Sequence, residues 1–95
     1  MRYVPAVIQS WKNKSAEAIH QGRAIRGVSA EVAKAAKRRL DQLHAAARLD
    51  DLRSPPGNRL HLVGERWSIS VNMQYRITFV WGQSGPEEVW FGDYH

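Results

Sequence analysis

The chain has no cysteine. A disulfide framework and a thiolate metal site are therefore excluded, and the composition suits a reducing cytoplasm. No apolar run approaches the roughly 20 residues that a membrane-spanning helix needs, so no membrane is expected among its partners. The opening residues, Met1-Arg2-Tyr3-Val4-Pro5-Ala6-Val7-Ile8, turn polar too quickly for a secretory leader. Internal repeats and low-complexity stretches are missing. Neither paired carboxylates nor a histidine cluster suggests a metal, and no cofactor is expected. With 95 residues there is no room for a second core, so one domain over residues 1–95 is predicted.

What the chain does have is unevenly placed charge. The net charge is +5, but residues 1–48 hold ten Lys or Arg against three acids, and residues 49–95 hold four Arg against six acids. A basic half on a small protein fits a polyanionic partner, nucleic acid first, and on charge alone it fits a merely solvated surface equally well. Four Trp, three Tyr and two Phe supply enough buried area per residue to fill a small core.

Periodicity divides the chain in two. Residues 4–8 are apolar enough for a short first strand, with Pro5 tolerable at an edge. Residues 11–21 read as a short helix with Ser10 or Ser15 as its cap and Gly22 past its end. Ser29 caps a longer helix whose apolar stripe is Val32, Ala36, Leu40, Leu43 and Ala47. His20 and His44 are expected on the helix surface. Ser54-Pro55-Pro56-Gly57-Asn58 must stop the helix. The period then changes from 3.6 to 2, and residues 59–63, 66–72, 75–81 and 88–94 read as four strands joined by short antiparallel turns. The fold class is α+β: two N-terminal helices packed on a small twisted antiparallel sheet.

Alternation sorts the two faces of that sheet. Leu60 and Leu62, then Trp67, Ile69 and Val71, then Tyr75, Ile77, Phe79 and Trp81 should pack under the helices. The opposite parity carries Arg59 and His61, then Arg66, Ser68 and Ser70, then Arg76 and Thr78. Three arginines, a histidine and three hydroxyls thus share a non-core face. Trp11 is also expected in the core. Trp90 shares the parity of Tyr94, away from Val89 and Phe91, which makes it a candidate for contact with RNA or a partner protein.

Several separate motifs, in order, carry a resemblance. They are Trp11-Lys12-Asn13-Lys14 with Glu17-Ala18-Ile19, Leu49-Asp50-Asp51-Leu52 leading to Pro55-Pro56-Gly57-Asn58-Arg59-Leu60, the pair Ser68-Ile69-Ser70-Val71-Asn72 and Tyr75-Arg76-Ile77-Thr78-Phe79, and the terminal Asp93-Tyr94-His95. The sequence resembles the RelE/ParE superfamily of bacterial toxins and, within it, the HigB-type (host inhibition of growth) branch. The resemblance implies ribosome-dependent endonuclease activity on mRNA, a helix-turn-helix antitoxin of the HigA type, and operator DNA contacted only through that antitoxin. It makes Arg76 the phosphate-contacting arginine, Asp93, Tyr94 and His95 the catalytic trio, and His61 the histidine on the strand after the Pro-Pro-Gly-Asn turn. One departure stands out: the loop Val63-Gly64-Glu65-Arg66 is short and lacks a lysine that family members often carry. Either Arg66 supplies that cation, or the activity is weaker or altered.

The chemistry explains the residue types. RNA brings its own nucleophile, the 2′-OH. Cleavage needs a base for that proton, an acid for the leaving 5′-oxygen, and positive charge at the phosphorus. Histidine serves either proton task near neutral pH, and arginine grips two phosphate oxygens at once. The alternative for Arg76 is an ion pair with Glu87 or Glu88. Arg59 and Arg66 are further RNA-binding candidates on the sheet. Lys34, Lys37 and Arg38 on the long helix are expected to hold ribosomal RNA rather than to select sequence. Two other functions fit the same fold: inhibition of DNA gyrase without catalysis, as in the ParE branch, and a degenerate toxin that acts mainly by binding its antitoxin.

Overall fold

Asn13, rather than Ser10 or Ser15, starts the first helix. In the computed structural model, which describes residues 4–93, its Oδ1 accepts from the Ala16 amide at 3.1 Å and opens α1 (Lys14–His20). Gly22 follows in the left-handed region, with φ +80°, where a side chain would be strained. Ser29 caps α2 (Ala30–Ala45) as its sequence implies, its Oγ accepting from the Val32 amide at 3.1 Å. Ala36, Leu40 and Leu43 are fully buried along the stripe. The helix ends two residues earlier than the stripe suggests, so Ala46 enters the core and Ala47 does not.

Beyond α2 the chain makes two 3-10 turns, Leu49–Arg53 and Pro56–Asn58. Leu52 anchors the first in the core. Asn58 is fully buried, and its amide donates to Gln42 Oε1 at 3.0 Å and to the Leu52 carbonyl at 3.1 Å. The last residue of the Pro-Pro-Gly-Asn motif therefore ties both turns to α2.

Four strands follow: β1 (His61–Val63), β2 (Arg66–Ser70), β3 (Tyr75–Gly82) and β4 (Gly85–Asp93), antiparallel and in sequence order. Ile69, Ile77, Phe79 and Val89 are fully buried beneath the helices, with Phe91 close behind. Leu62 is 55% exposed instead of buried. The helices pack chiefly on β3 and β4, so β1, at the far edge, projects beyond the core. The last strand begins at Gly85, not at Glu88, because a two-residue turn joins Gly82 to Gly85 and Pro86 lies inside the strand. A proline there costs nothing on the sheet's outer edge, where its missing N–H has no ladder partner to lose.

The expected first strand at residues 4–8 does not form. Its hydrogen bonds go to the end of α2: the Ala6 amide to the Ala46 carbonyl at 2.6 Å and the Ile8 amide to His44 Nδ1 at 3.1 Å. Pairing with β4 begins only after it. Val89 N–H donates to the Ser10 carbonyl at 3.0 Å, Lys12 N–H to the Val89 carbonyl at 2.8 Å, and the Asn13 side chain bonds both backbone groups of Phe91, at 2.7 and 3.2 Å. These bonds cover an edge that would otherwise present open donors and acceptors. Gly85 is required at this junction: its φ is +140°, and a Cβ would stand 2.6 Å from the Val7 carbonyl oxygen.

His20 and His44 are half-buried, not surface residues. Their rings lie 5.0 Å apart, and His20 sits 5.4 Å from the Trp11 ring. Burial lowers the His20 pKa below its ordinary 6.5; His44 and Lys37 act in the same direction and Asp41, 3.5 Å away, opposes them. The folded chain thus prefers neutral His20, while the unfolded chain takes up the proton more readily. This stability is complete above the unfolded value and is lost as pH falls below it. The midpoint of thermal unfolding should therefore be lower at about pH 5 than at about pH 7.5. His20→Phe, which keeps a ring but cannot ionise, should flatten the difference. Circular dichroism melts of both proteins check this, and equal pH slopes would contradict it.

Candidate nucleic-acid interface

The sheet face turned away from the helices brings the sequence candidates together in cross-strand rows. His61 pairs with Ser68, Ser68 with Thr78, and Thr78 with Trp90. In the next row Ser70 pairs with Arg76, and Arg76 with Gly92. Ser68, Ser70 and Thr78 are buried. They form a floor under longer neighbours, not the row of open hydroxyls that alternation alone implies.

His61 is exposed, and its Nδ1 lies 2.8 Å from the Arg59 carbonyl. A carbonyl only accepts, so Nδ1 carries the proton and Nε2 of the neutral ring keeps its lone pair. The histidine is thereby held in the form that can take a proton. Arg59 itself adopts φ +49°, the left-handed region, as it leaves the 3-10 turn. A non-glycine residue there is held by its surroundings at some conformational cost.

Arg76 is half-buried and lines a concavity of about 350 Å³ together with Arg59, Gly57, Ser70, Asn72 and Met73. The wall of this concavity is a turn built by Asn72, whose Oδ1 accepts from the amides of Gln74 and Tyr75 at 2.8 and 2.7 Å. Arg76 therefore shares its pocket with Arg59. Glu88, named as a rival partner for it, faces Arg66.

Arg66 is committed to the fold. Its Nε and Nη2 donate to Thr78 Oγ1 at 3.2 and 3.1 Å, Nη2 also donates to the Glu88 carbonyl, and Nη1 stands 3.7 Å from the Glu88 carboxylate. A bulge explains the unexpected partner. Thr78 pairs with Trp90 but Val80 pairs with Glu87, so Glu88 and Val89 together oppose Phe79. Glu88 takes φ +51° at this point, and the Ser10 hydroxyl accepts from its amide at 2.8 Å.

Asp93 is exposed, accepts from Gln74 Nε2 at 2.8 Å, and pairs with Tyr75, the residue before Arg76. Tyr94 and His95 lie outside the described residues. Lys34, Lys37 and Arg38 are not part of this face. They sit on α2, in the layer across the sheet, and Lys37 is paired with Asp41 at 2.9 Å. Lys34 and Lys37 line a shallow groove with Arg23 and the turn after α1. Among the described residues no group of three or more His, Cys, Asp or Glu side chains could hold a metal ion, and no helix is long and apolar enough to cross a membrane.

Sequence reasoning undervalued two residues here. Lys12 approaches the free face from the segment that covers β4, in a pocket with Trp90, Arg66, Thr78 and Val63. Gly92 makes room for the Trp90 ring: a Cβ at this position would come 2.5 Å from the indole Cζ2. The basic charge of residues 1–48 signalled the first; nothing in the sequence signals the second.

A model of the RelE-like toxins of HigB type II toxin–antitoxin systems matches residues 9–95. Toxin HigB-1 of Vibrio cholerae serotype O1 is 54% identical over 48 residues, which cover 46% of this chain and 50% of that protein. An uncharacterized protein of Haemophilus influenzae is 44% identical over 46 residues, covering 44% of this chain and 46% of its own length. The chain thus spans about half the length of the curated relatives it matches.

Proposed function

The chain belongs to the HigB-like family of RelE-like toxins of type II toxin–antitoxin systems, and from that premise we propose that it is a ribosome-dependent mRNA endonuclease. The observation that carries the proposal is the shared face. His61, in the tautomer that leaves Nε2 free, and Arg76 stand on the same open side of the sheet, while Asp93, paired with Tyr75 at the end of β4, takes the opposite parity.

The reaction uses the RNA's own 2′-OH. A base, His61 in this reading, removes the 2′-OH proton as the oxygen attacks the adjacent phosphorus. The bond from phosphorus to the 5′-oxygen breaks, and an acid from the Tyr94-His95 end returns a proton to that oxygen. Arg76, with Arg59 beside it, holds the charge that builds on the phosphate. The products are a 2′,3′-cyclic phosphate and a 5′-OH. Asp93 orients the terminal pair. Arg66 supports the site through Thr78 and Glu88 instead of replacing the missing loop lysine. Lys34, Lys37 and Arg38 dock ribosomal RNA from the helical layer. A helix-turn-helix antitoxin of the HigA type neutralises the protein, operator DNA is reached through that antitoxin, and the cytoplasm is the site of action.

Primer extension on an mRNA incubated with the protein, with and without ribosomes, tests this. Cuts within translated codons that need ribosomes and weaken in His95→Ala are expected. Intact mRNA together with stalled gyrase would instead favour the gyrase-inhibitor function.

A further inference from the structure

Beside the Arg76 concavity lies a second pocket of different chemistry. It has a volume of about 220 Å³ and is lined by Lys12, Val63, Arg66, Thr78 and Trp90. One wall is the half-exposed indole of Trp90, whose six-membered ring leans over Gly92, the strand partner of Arg76. The rim is cationic. Lys12 is exposed and takes part in no ion pair among the described residues, and the Arg66 guanidinium is fixed in place by Thr78 and Glu88. Thr78 and Arg76 are two positions apart on β3, so the two pockets follow one another along the strand at a separation of about 7 Å. An extended RNA strand with its phosphate at Arg76 places a neighbouring nucleotide at Trp90.

We propose that the Trp90 pocket is a nucleobase subsite, in which a base of the mRNA next to the scissile phosphate stacks on the indole while Lys12 meets the backbone phosphate. The proposal rests on the RNA-cleaving function above and adds to it a place that grips the substrate by its base. An aromatic face with flanking cations is the combination that holds single-stranded nucleic acid without demanding one sequence. The bulge is what builds it. By adding a residue to β4 it turns the Glu88 carbonyl toward Arg66, which holds that guanidinium across Thr78 as one side of the pocket. An acidic or apolar segment of a partner protein could use the same indole, but the continuity with Arg76 and Arg59 favours RNA.

The test is direct binding of a trinucleotide RNA and of the same trinucleotide with its middle base removed. Wild type, Trp90→Ala, Trp90→Phe and Lys12→Ala are compared, with melting curves to confirm folding. Loss of one stacked base weakens binding roughly 5- to 150-fold. Trp90→Ala should show a loss in that range for the intact trinucleotide and none for the abasic one, with Trp90→Phe between. Lys12→Ala should weaken both alike and lower the salt dependence. In wild type the Trp90 indole N–H resonance, identified by its absence in Trp90→Phe, should shift only with the intact trinucleotide. If Trp90→Ala discriminates intact from abasic RNA as wild type does, the subsite is refuted. It is equally refuted if Trp90→Ala loses antitoxin affinity while its RNA binding is unchanged. Cleavage assays on ribosomes separate the two claims: base-dependent binding at Trp90 without any mRNA cleavage would sustain the subsite and remove the endonuclease function.

Discussion

Arg76→Lys should slow mRNA cleavage on programmed ribosomes almost as much as Arg76→Ala, by about 10²–10³-fold in the single-turnover rate, the scale for removing a donor from a developing oxyanion. The reason is geometric. Arg76 projects from the middle of the sheet, between strands that fix its backbone on both sides through Ser70 and Gly92. From that base a guanidinium can present two parallel N–H donors to a phosphate. A lysine keeps the charge but offers a single flexible point. Arg59, in the same pocket, supplies charge and would mask a role that was only diffuse attraction. A lysine variant as fast as wild type would therefore show that the fork does not matter and that Arg76 acts as bulk positive potential. Neither substitution should disturb folding, since Ile77 and Tyr75 on the opposite parity keep their places.

Much of the fold was legible because period and capping agree locally. Ser29 and the Ala36, Leu40 and Leu43 stripe fall on one helix, and Ile69, Ile77 and Phe79 point to one side of a sheet, as their spacing requires. What was not legible depended on distant partners. Residues 4–8 are apolar like a strand, but the donors of Ala6 and Ile8 find acceptors at the end of α2, in Ala46 and His44. Asn13 is an ordinary capping residue whose choice over Ser10 and Ser15 is decided by Phe91, far along the chain. Leu62 has the core parity, yet no core extends under the outermost strand. His20 and His44 look like surface residues until the two helices bring their rings together.

The site divides in the same way. Parity alone placed His61, Arg66 and Arg76 on one side, and register confirms that they share it. Parity could not foresee that Arg66 would fold over Thr78, because the carbonyl that holds it is turned by a bulge, and a bulge leaves no mark in the alternation of residues 75–81. Nor could it tell that Lys34, Lys37 and Arg38 lie in the opposite layer, on α2. Charge asymmetry says that residues 1–48 are basic; only the layering shows that the cations of α2 lie across the sheet from the face that carries His61 and Arg76.

Phe79→Ala should be the most damaging change to stability in the sheet, costing about 3–5 kcal/mol. Phe79 is fully buried, is the largest side chain of the core to be so, and meets the Trp81 ring edge-on at 6.5 Å. Its position adds a second consequence. It is the one residue of β3 that faces the two bulged residues Glu88 and Val89, so the ring packs beneath the point where β4 is distorted. Removing it leaves a cavity under a segment already held at positive φ, which the surroundings cannot collapse to fill without releasing the bulge. For a domain of this size the loss is a large share of the roughly 5–15 kcal/mol that holds such folds together. With a urea slope of about 1–3 kcal/mol/M, the unfolding midpoint should fall by roughly 1 M or more. Phe79→Leu, which keeps much of the volume, should lose far less and preserve the indole N–H shift of Trp90 with RNA. A midpoint in Phe79→Ala within a few tenths of a molar of wild type would mean that the bulge is supported from the Ser10 side, through the Glu88 and Val89 amides, and not from the core.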